Sequence, residues 1–190
     1  MLSNAILKAK FERALPYDDY LAAAAPHHRE AWRAVHDRAA LEPPQHDLIA
    51  SFNRRIHALA LSGAWCGDCA QQLPFLNRFA RANPERVRPR FLDRDDHADL
   101  AERLRISDGL RVPVVIYMNE DFDFIALFGD RSLSRYRALA ARALGASCPL
   151  PGAPVDGEEL RATLGDWLEE LERVHLLCRL SPKLRARYRD

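Results

Sequence analysis

The run IHALALSGAWCGDCAQQLP, residues 56–74, narrows the folds open to this chain more than any other stretch. Ile56 to Ser62 is apolar over a strand's length and stops at Gly63, and a helix-period pattern starts just after Cys66 and Cys69. Strand, tight loop and helix follow one another, with Cys66 at the helix entry and Cys69 in its first turn. That placement has chemical weight. A thiol exchanges with a disulfide only as thiolate. A helix N-terminus favours the anion through its free N–H groups and about half a positive charge of macrodipole. Cys66 is therefore the candidate nucleophile, and Cys69, one turn on, the candidate resolving thiol, close enough for the two sulfurs to bond.

Two other readings of the pair stay open. Tetrahedral zinc would need two more ligands, and beyond the pair the chain has Cys148, Cys178 and seven histidines with no second close pair. A cluster of iron and sulfur bridging two chains is a variant of that idea. The plainest reading is two small buried apolar residues. Cys178 falls on an apolar helical stripe and Cys148 precedes a proline loop, the setting of structural or incidental thiols.

Of the 190 residues 48% are apolar, enough to bury a core without disulfides or metals. The 28 basic and 27 acidic side chains are dispersed, and the formal net charge of +1 excludes a strong pull toward nucleic acid. MLSNAILKAKFERALP meets Lys8 before the apolar run of a secretory signal develops, and no segment approaches the length of a bilayer span. A soluble, cytoplasmic protein with neither membrane nor nucleic-acid partners is expected. In a reducing compartment structural disulfides are uncommon, so a close cysteine pair reads as catalytic or metal-binding.

The first fifty residues read as helices. One starts at Pro16 with Asp18 and Asp19 at its positive end; a second runs through HREAWRAVHDRAAL with His28, Trp32, Val35 and Ala39 on one face; a short third runs from about Gln45 through Leu48, Ile49 and Phe52. After the cysteines, CAQQLPFLNRFARAN carries Leu73, Leu76 and Ala80 in line with Cys69, flanked by Phe75 and Phe79 and kinked at Pro74. VRPRFL is a second strand, ADLAERLRI a short helix, and RVPVVIYM and FDFIALF an antiparallel hairpin turned at NED and ended by Gly129. SLSRYRALAARAL is a further helix. The first two strands, joined by a helical crossover, are parallel. Beyond a loop rich in proline and glycine, a last helix aligns Leu160, Leu164, Trp167, Leu168, Leu171, Val174 and Cys178, a stripe that needs a surface to cover it. The tail SPKLRARYRD reads as basic and solvated.

WCGDC after an apolar strand, Pro74 five residues past Cys69, and Val112-Pro113 ahead of another strand are together similar to the thioredoxin superfamily, whose order of strands and helices also matches. More narrowly, DDYLA, FLDRDD and VPVVIYMNEDFD resemble a bacterial group of thioredoxin-like proteins. The resemblance implies an α/β, thioredoxin-like fold, a central mixed sheet flanked by helices. Residues 1–51 would be a helical extension, 52–145 the thioredoxin-like domain, and 146–190 a loop and amphipathic helix packed back on it. It implies a thiol–disulfide oxidoreductase acting through Cys66 and Cys69, with Pro113 in cis facing the pair and the Val112 backbone left to bind an extended substrate. Trp65, Gly67 and Asp68 would border that substrate, Trp65 as an apolar rim. No cofactor is implied beyond the dithiol; the partners are protein or small-molecule disulfides and a separate reductase that recharges the pair. The alternatives in kind are a binding module that keeps the fold without turnover, and a metal-binding or redox-sensor protein that uses the cysteine pair.

Two departures from the family pattern stand out. Thioredoxins carry a buried carboxylate six residues before the first cysteine, where this chain has Ala60. Asp93, Arg94 and Asp95 follow the second strand at the sheet edge that carries the cysteine loop, so one acid there is a candidate replacement, set against a plain polar loop capping the next helix. Between the cysteines stands Gly67-Asp68 rather than Gly-Pro. The Asp68 charge should oppose the dipole, raise the thiol pKa and make the pair more reducing. His57, on the strand leading to the cysteines, is a candidate base or, more plainly, a hydrogen-bonded structural histidine. The faces around Trp32 and Trp167 read as core or docking surfaces, and one left uncovered would be a partner site.

Overall fold

The computed structural model describes residues 2–144 and 156–189. Four strands, β1 (Ile56–Ser62), β2 (Val87–Asp93), β3 (Val114–Met118) and β4 (Phe124–Gly129), form one mixed sheet in the order β2-β1-β3-β4. The central strands β1 and β3 are buried at every position, which is why their sequences are apolar without alternation. β1 runs parallel to β2, bringing Ser62 level with Asp93, and antiparallel to β3; β3 and β4 make the expected hairpin.

Helices α1 (Asn4–Arg13), α2 (Tyr17–Ala22), α3 (Pro26–Arg38) and α4 (Pro43–Ala50) precede the sheet. The crossover from β1 to β2 is α5 (Gly67–Gln72) and α6 (Pro74–Ala82); α7 (Ala98–Ala101) leads to β3; α8 (Leu133–Leu144), α9 (Gly157–Leu180) and α10 (Pro182–Tyr188) follow the hairpin. Proline punctuates this order. Pro26, Pro43, Pro74 and Pro182 each occupy a first helical turn, where a missing N–H costs nothing, and Pro74 breaks the expected long helix into α5 and α6 at Leu73.

Three segments differ from the sequence expectation. α1 escaped it because only Leu7 and Phe11 of that helix are buried, too few for a periodic signal. ADLAERLRI yields only the single turn of α7, after which the chain folds into an Ile106–Gly109 bridge with Ser107 and Asp108 at positive φ. The C-terminal tail keeps most side chains exposed but is an ordered helix, α10. Ser181 caps it, Leu184 is buried, and Lys183 and Arg187 pair with Asp123 and Asp121 at 2.6 and 2.9 Å.

Both terminal regions pack on the domain. Leu15 pairs with Phe91 in an antiparallel bridge on β2, and Tyr17, Tyr20 and Trp32 cluster on the Phe91 ring. On the other side α9 packs against α8, β4 and α5, covering the predicted stripe, with Trp167, Leu171, Val174 and Cys178 fully buried. Among the described residues no helix is long and apolar enough to cross a membrane.

Candidate functional site

β1 ends at Ser62, and the loop beyond it makes Cys66 the N-cap of α5 in extended conformation, with the first turn of the helix behind it. Gly63 permits this path: a Cβ there would lie 2.6 Å from Cε2 of the Trp65 indole. Cys66 is partly exposed and Cys69 fully buried, both as free thiols. The Cys69 thiol donates a hydrogen bond to Cys66. That bond, joined by the amide N–H groups of Cys69 and Asp68, pulls the Cys66 thiol down to about 7 against the upward push of burial and, last, of the Asp68 charge. Cys69 moves the other way, raised well above the ordinary value by burial and then by Cys66 itself.

The Val112–Pro113 peptide is cis and lies over the pair, its Val112 carbonyl accepting from Cys66 Sγ at 3.7 Å. Gly129 closes against it from behind. At φ +150° its own Cβ would lie 2.3 Å from the Pro113 oxygen, so only glycine fits. Trp65 is 46% exposed, and the Arg94 guanidinium sits 4.8 Å from its ring. Trp65, Gly67, Asp68, Val112 and Pro113 are thus gathered around Cys66, Gly67 exposed and Pro113 buried.

Asp68 does not stand alone. Arg131 grips its Oδ2 through Nε at 2.9 Å and Nη2 at 2.5 Å, and Arg135 reaches Oδ1 at 3.4 Å. Arg135 also binds Glu159 of α9, which Arg142 holds at 2.5 Å. The expected opposition of Asp68 to the dipole is therefore present but offset: the net shift of Cys66 is downward, because the helix end and Cys69 outweigh a carboxylate already paired with two arginines. Beneath this clamp, Gln72 is fully buried and fully used. Its amide donates to the carbonyls of Asp68 and Asp130 at 3.2 Å, and its oxygen accepts from Ser132 N at 3.0 Å and the Trp167 indole at 3.2 Å. The Trp32 indole donates to the Ala64 carbonyl at 3.0 Å, so α3 braces the cysteine loop as α9 braces α5. Sequence reading missed Arg131, Arg135, Gln72 and both indole contacts. The apolar stripes marked the tryptophans as core, but nothing local marks a partner sixty residues away.

A thioredoxin family model matches residues 14–142. The chain belongs to the thioredoxin family. No curated protein matches it. Among solved structures it is similar to a protein of unknown function from Pseudomonas aeruginosa, with a TM-score of 0.68 and 22% identity over 90% of this chain and 98% of that one. It is similar too to an HIV epitope scaffold, with a TM-score of 0.67 and 18% identity over 87% and 96% of the two chains. These likenesses are of fold.

Within this thioredoxin fold the remaining candidates find their places. Ala60 is buried between Phe91 and Val115, so the usual carboxylate position is apolar. Asp93 Oδ1 accepts from the Asp95 amide at 2.9 Å and Arg94 pairs with Asp95, the arrangement of a loop that caps its own turn. Among the groups that act on the Cys69 thiol are Cys66, the Gly63 backbone and Ser62. His57 lies five strand positions before Ser62, about 16 Å away. It is stacked on Phe122 and held neutral by burial, which lowers its pKa to about 4. Cys178 is a free, buried thiol pushed up by its surroundings, and Cys148 lies outside the described residues. Among the described residues no group of three or more His, Cys, Asp or Glu side chains is placed to hold a metal.

Proposed function

We propose that this thioredoxin-family protein is a thiol–disulfide oxidoreductase whose WCGDC segment is its active-site motif. The Cys66 thiolate attacks one sulfur of a substrate disulfide, forming a mixed disulfide and expelling the other sulfur as a thiolate that takes up a proton. Cys69, deprotonated, then attacks Cys66 Sγ; the Cys66–Cys69 disulfide forms and the second substrate thiol leaves. Two electrons pass from the pair to the substrate, with one proton from solvent for the first leaving sulfur and the Cys69 proton for the second, and a separate dithiol reductase returns the pair to its starting state. Substrates are disulfides of proteins or small molecules, bound along the Val112–Pro113 backbone and against Trp65, with the cytoplasm as the setting.

What supports this reading above all is the division of labour between the sulfurs. One is partly exposed at a helix N-cap and acidified to about 7, and its neighbour is sealed and held as a thiol. A metal site or a passive core pair has no need of that asymmetry. The test is Cys69→Ser mixed with a model peptide disulfide. The expected product is a stable adduct carried by Cys66 alone, found by mass spectrometry. A protein that forms no adduct, or forms it at another cysteine, would falsify the mechanism. Wild-type turnover of the same peptide separates an oxidoreductase from a binding module, and metal content from a metal protein.

A further inference from the structure

Resolution of the mixed disulfide requires Cys69 to become a thiolate where nothing solvates it. Its side chain is fully buried and burial drives its pKa up. The family's carboxylate is absent at Ala60; Asp93 Oδ1 and Asp95 are engaged in the turn of their own loop, and Asp93 acts on Tyr20 rather than on Cys69. Two hydroxyls remain. Ser62, the last residue of β1, is fully buried and faces the Cys69 thiol. Tyr20, from α2, is 5% exposed and faces Ser62 in turn. Its ring is fixed between Phe91, stacked at 5.6 Å, and Trp32, edge-on at 5.7 Å, so its hydroxyl has little freedom to point elsewhere. With both cysteines as thiols, neither hydroxyl oxygen makes a hydrogen bond of ordinary geometry with a described residue. Buried hydroxyls are rarely left in that state without a reason. Other tyrosine hydroxyls, those of Tyr17 and Tyr117, are also buried without a bond, but Tyr20 is the one whose charged form feels Asp93 and then Cys69 and Cys66.

We infer that Tyr20 and Ser62 form a hydroxyl chain that receives the negative charge of Cys69 during resolution. The inference rests on the exchange chemistry proposed above and names the groups that make its second step possible. As the proton leaves Cys69 for the departing substrate thiolate, Ser62 donates its O–H to Cys69 Sγ and Tyr20 donates to Ser62 Oγ. No proton is lost or gained by either hydroxyl, and both return to their original state when the Cys66–Cys69 bond forms. Two neutral donors do for a buried anion what a carboxylate base does by taking its proton, without placing a second charge in the core. Ser62 and Tyr20 are thus positioning residues acting through Cys69.

Stopped-flow reaction of the reduced protein with the aryl disulfide DTNB separates the two steps. Attack by Cys66 is proportional to reagent concentration, and resolution by Cys69 is the phase independent of it. For Ser62→Ala the resolution phase is expected to slow by ~10-fold at pH 7, with its pH profile displaced upward by about one unit, and for Tyr20→Phe by ~3-fold in the same sense. The concentration-dependent phase should keep its rate and pH midpoint in both, which shows the site intact. Resolution within twofold of wild type in both variants, or an equal loss at every pH, overturns the hydroxyl chain while leaving the oxidoreductase reading standing. A wild-type protein that shows no resolution phase overturns both.

Discussion

On the α8 and α9 side of the cysteine pair, Asp68 is gripped by Arg131 and Arg135, and the charge is passed on through Glu159 to Arg142. On the α2 and β2 side, Cys69 looks onto the hydroxyl of Ser62, and beyond it Tyr20 sits among aromatic rings. The two flanks handle charge in opposite ways. Around Asp68 full charges are used, part of them buried, and each is paired. Against the sealed sulfur stands the neutral Ser62 hydroxyl, with the Asp93 carboxylate set back beyond it near Tyr20, because a lone buried ion would cost several kcal/mol. The carboxylate beside the exposed thiol is thereby held by ions, and the buried thiol is left against hydroxyls.

The largest expected consequence lies on the charged flank. Arg135→Met removes the link between Asp68 and Glu159, both largely buried, and should lower unfolding stability by about 3 kcal/mol in chemical denaturation. A loss below about 1 kcal/mol would mean the network is no more than surface pairing and would dissolve the contrast. Next come changes in the Cys66 midpoint. Arg131→Met leaves Asp68 less compensated and should raise the midpoint of Cys66 alkylation by roughly half a pH unit; Asp68→Asn removes an anion and frees two arginines, both of which favour the thiolate, and should lower it by a similar amount. Opposite signs in the two variants sharpen the comparison, and equal signs break it. Smallest is the effect on stability of Tyr20→Phe. A hydroxyl without a hydrogen bond contributes little to the dithiol protein, so its loss should change unfolding by less than about 0.5 kcal/mol. A loss of about 2 kcal/mol would show the hydroxyl to be structurally engaged.

The same contrast explains how far the sequence could be read. Cys66 at a helix entry, the break at Pro74, the parallel β1 and β2, and the hairpin after Pro113 depend on neighbours in the chain, and the local pattern exposes them. The stripe from Leu160 to Cys178 announced that α9 would be covered, though not by what. Asp68 was read as a bare charge because its partners, Arg131 just ahead of α8 and Arg135 within it, stand more than sixty residues on and look like any solvated arginines. Ser62 and Tyr20 carry no signal at all. A serine ending a strand and a tyrosine in a short helix become a pair only when the bridge from Leu15 to Phe91 lays the N-terminal segment along β2. Ser181-Pro182 was a legible helix start, and the basic composition around it hid α10.

All of this turns on Cys66 being the sulfur that ionises. The direct measurement is the rate of iodoacetamide alkylation of the reduced protein from pH 5 to pH 10, with each cysteine quantified by peptide mass spectrometry. The account predicts a midpoint near 7 for Cys66, with Cys69 silent across that transition. A Cys66 midpoint at the ordinary thiol value of 9.0, or Cys69 reacting first, would contradict it.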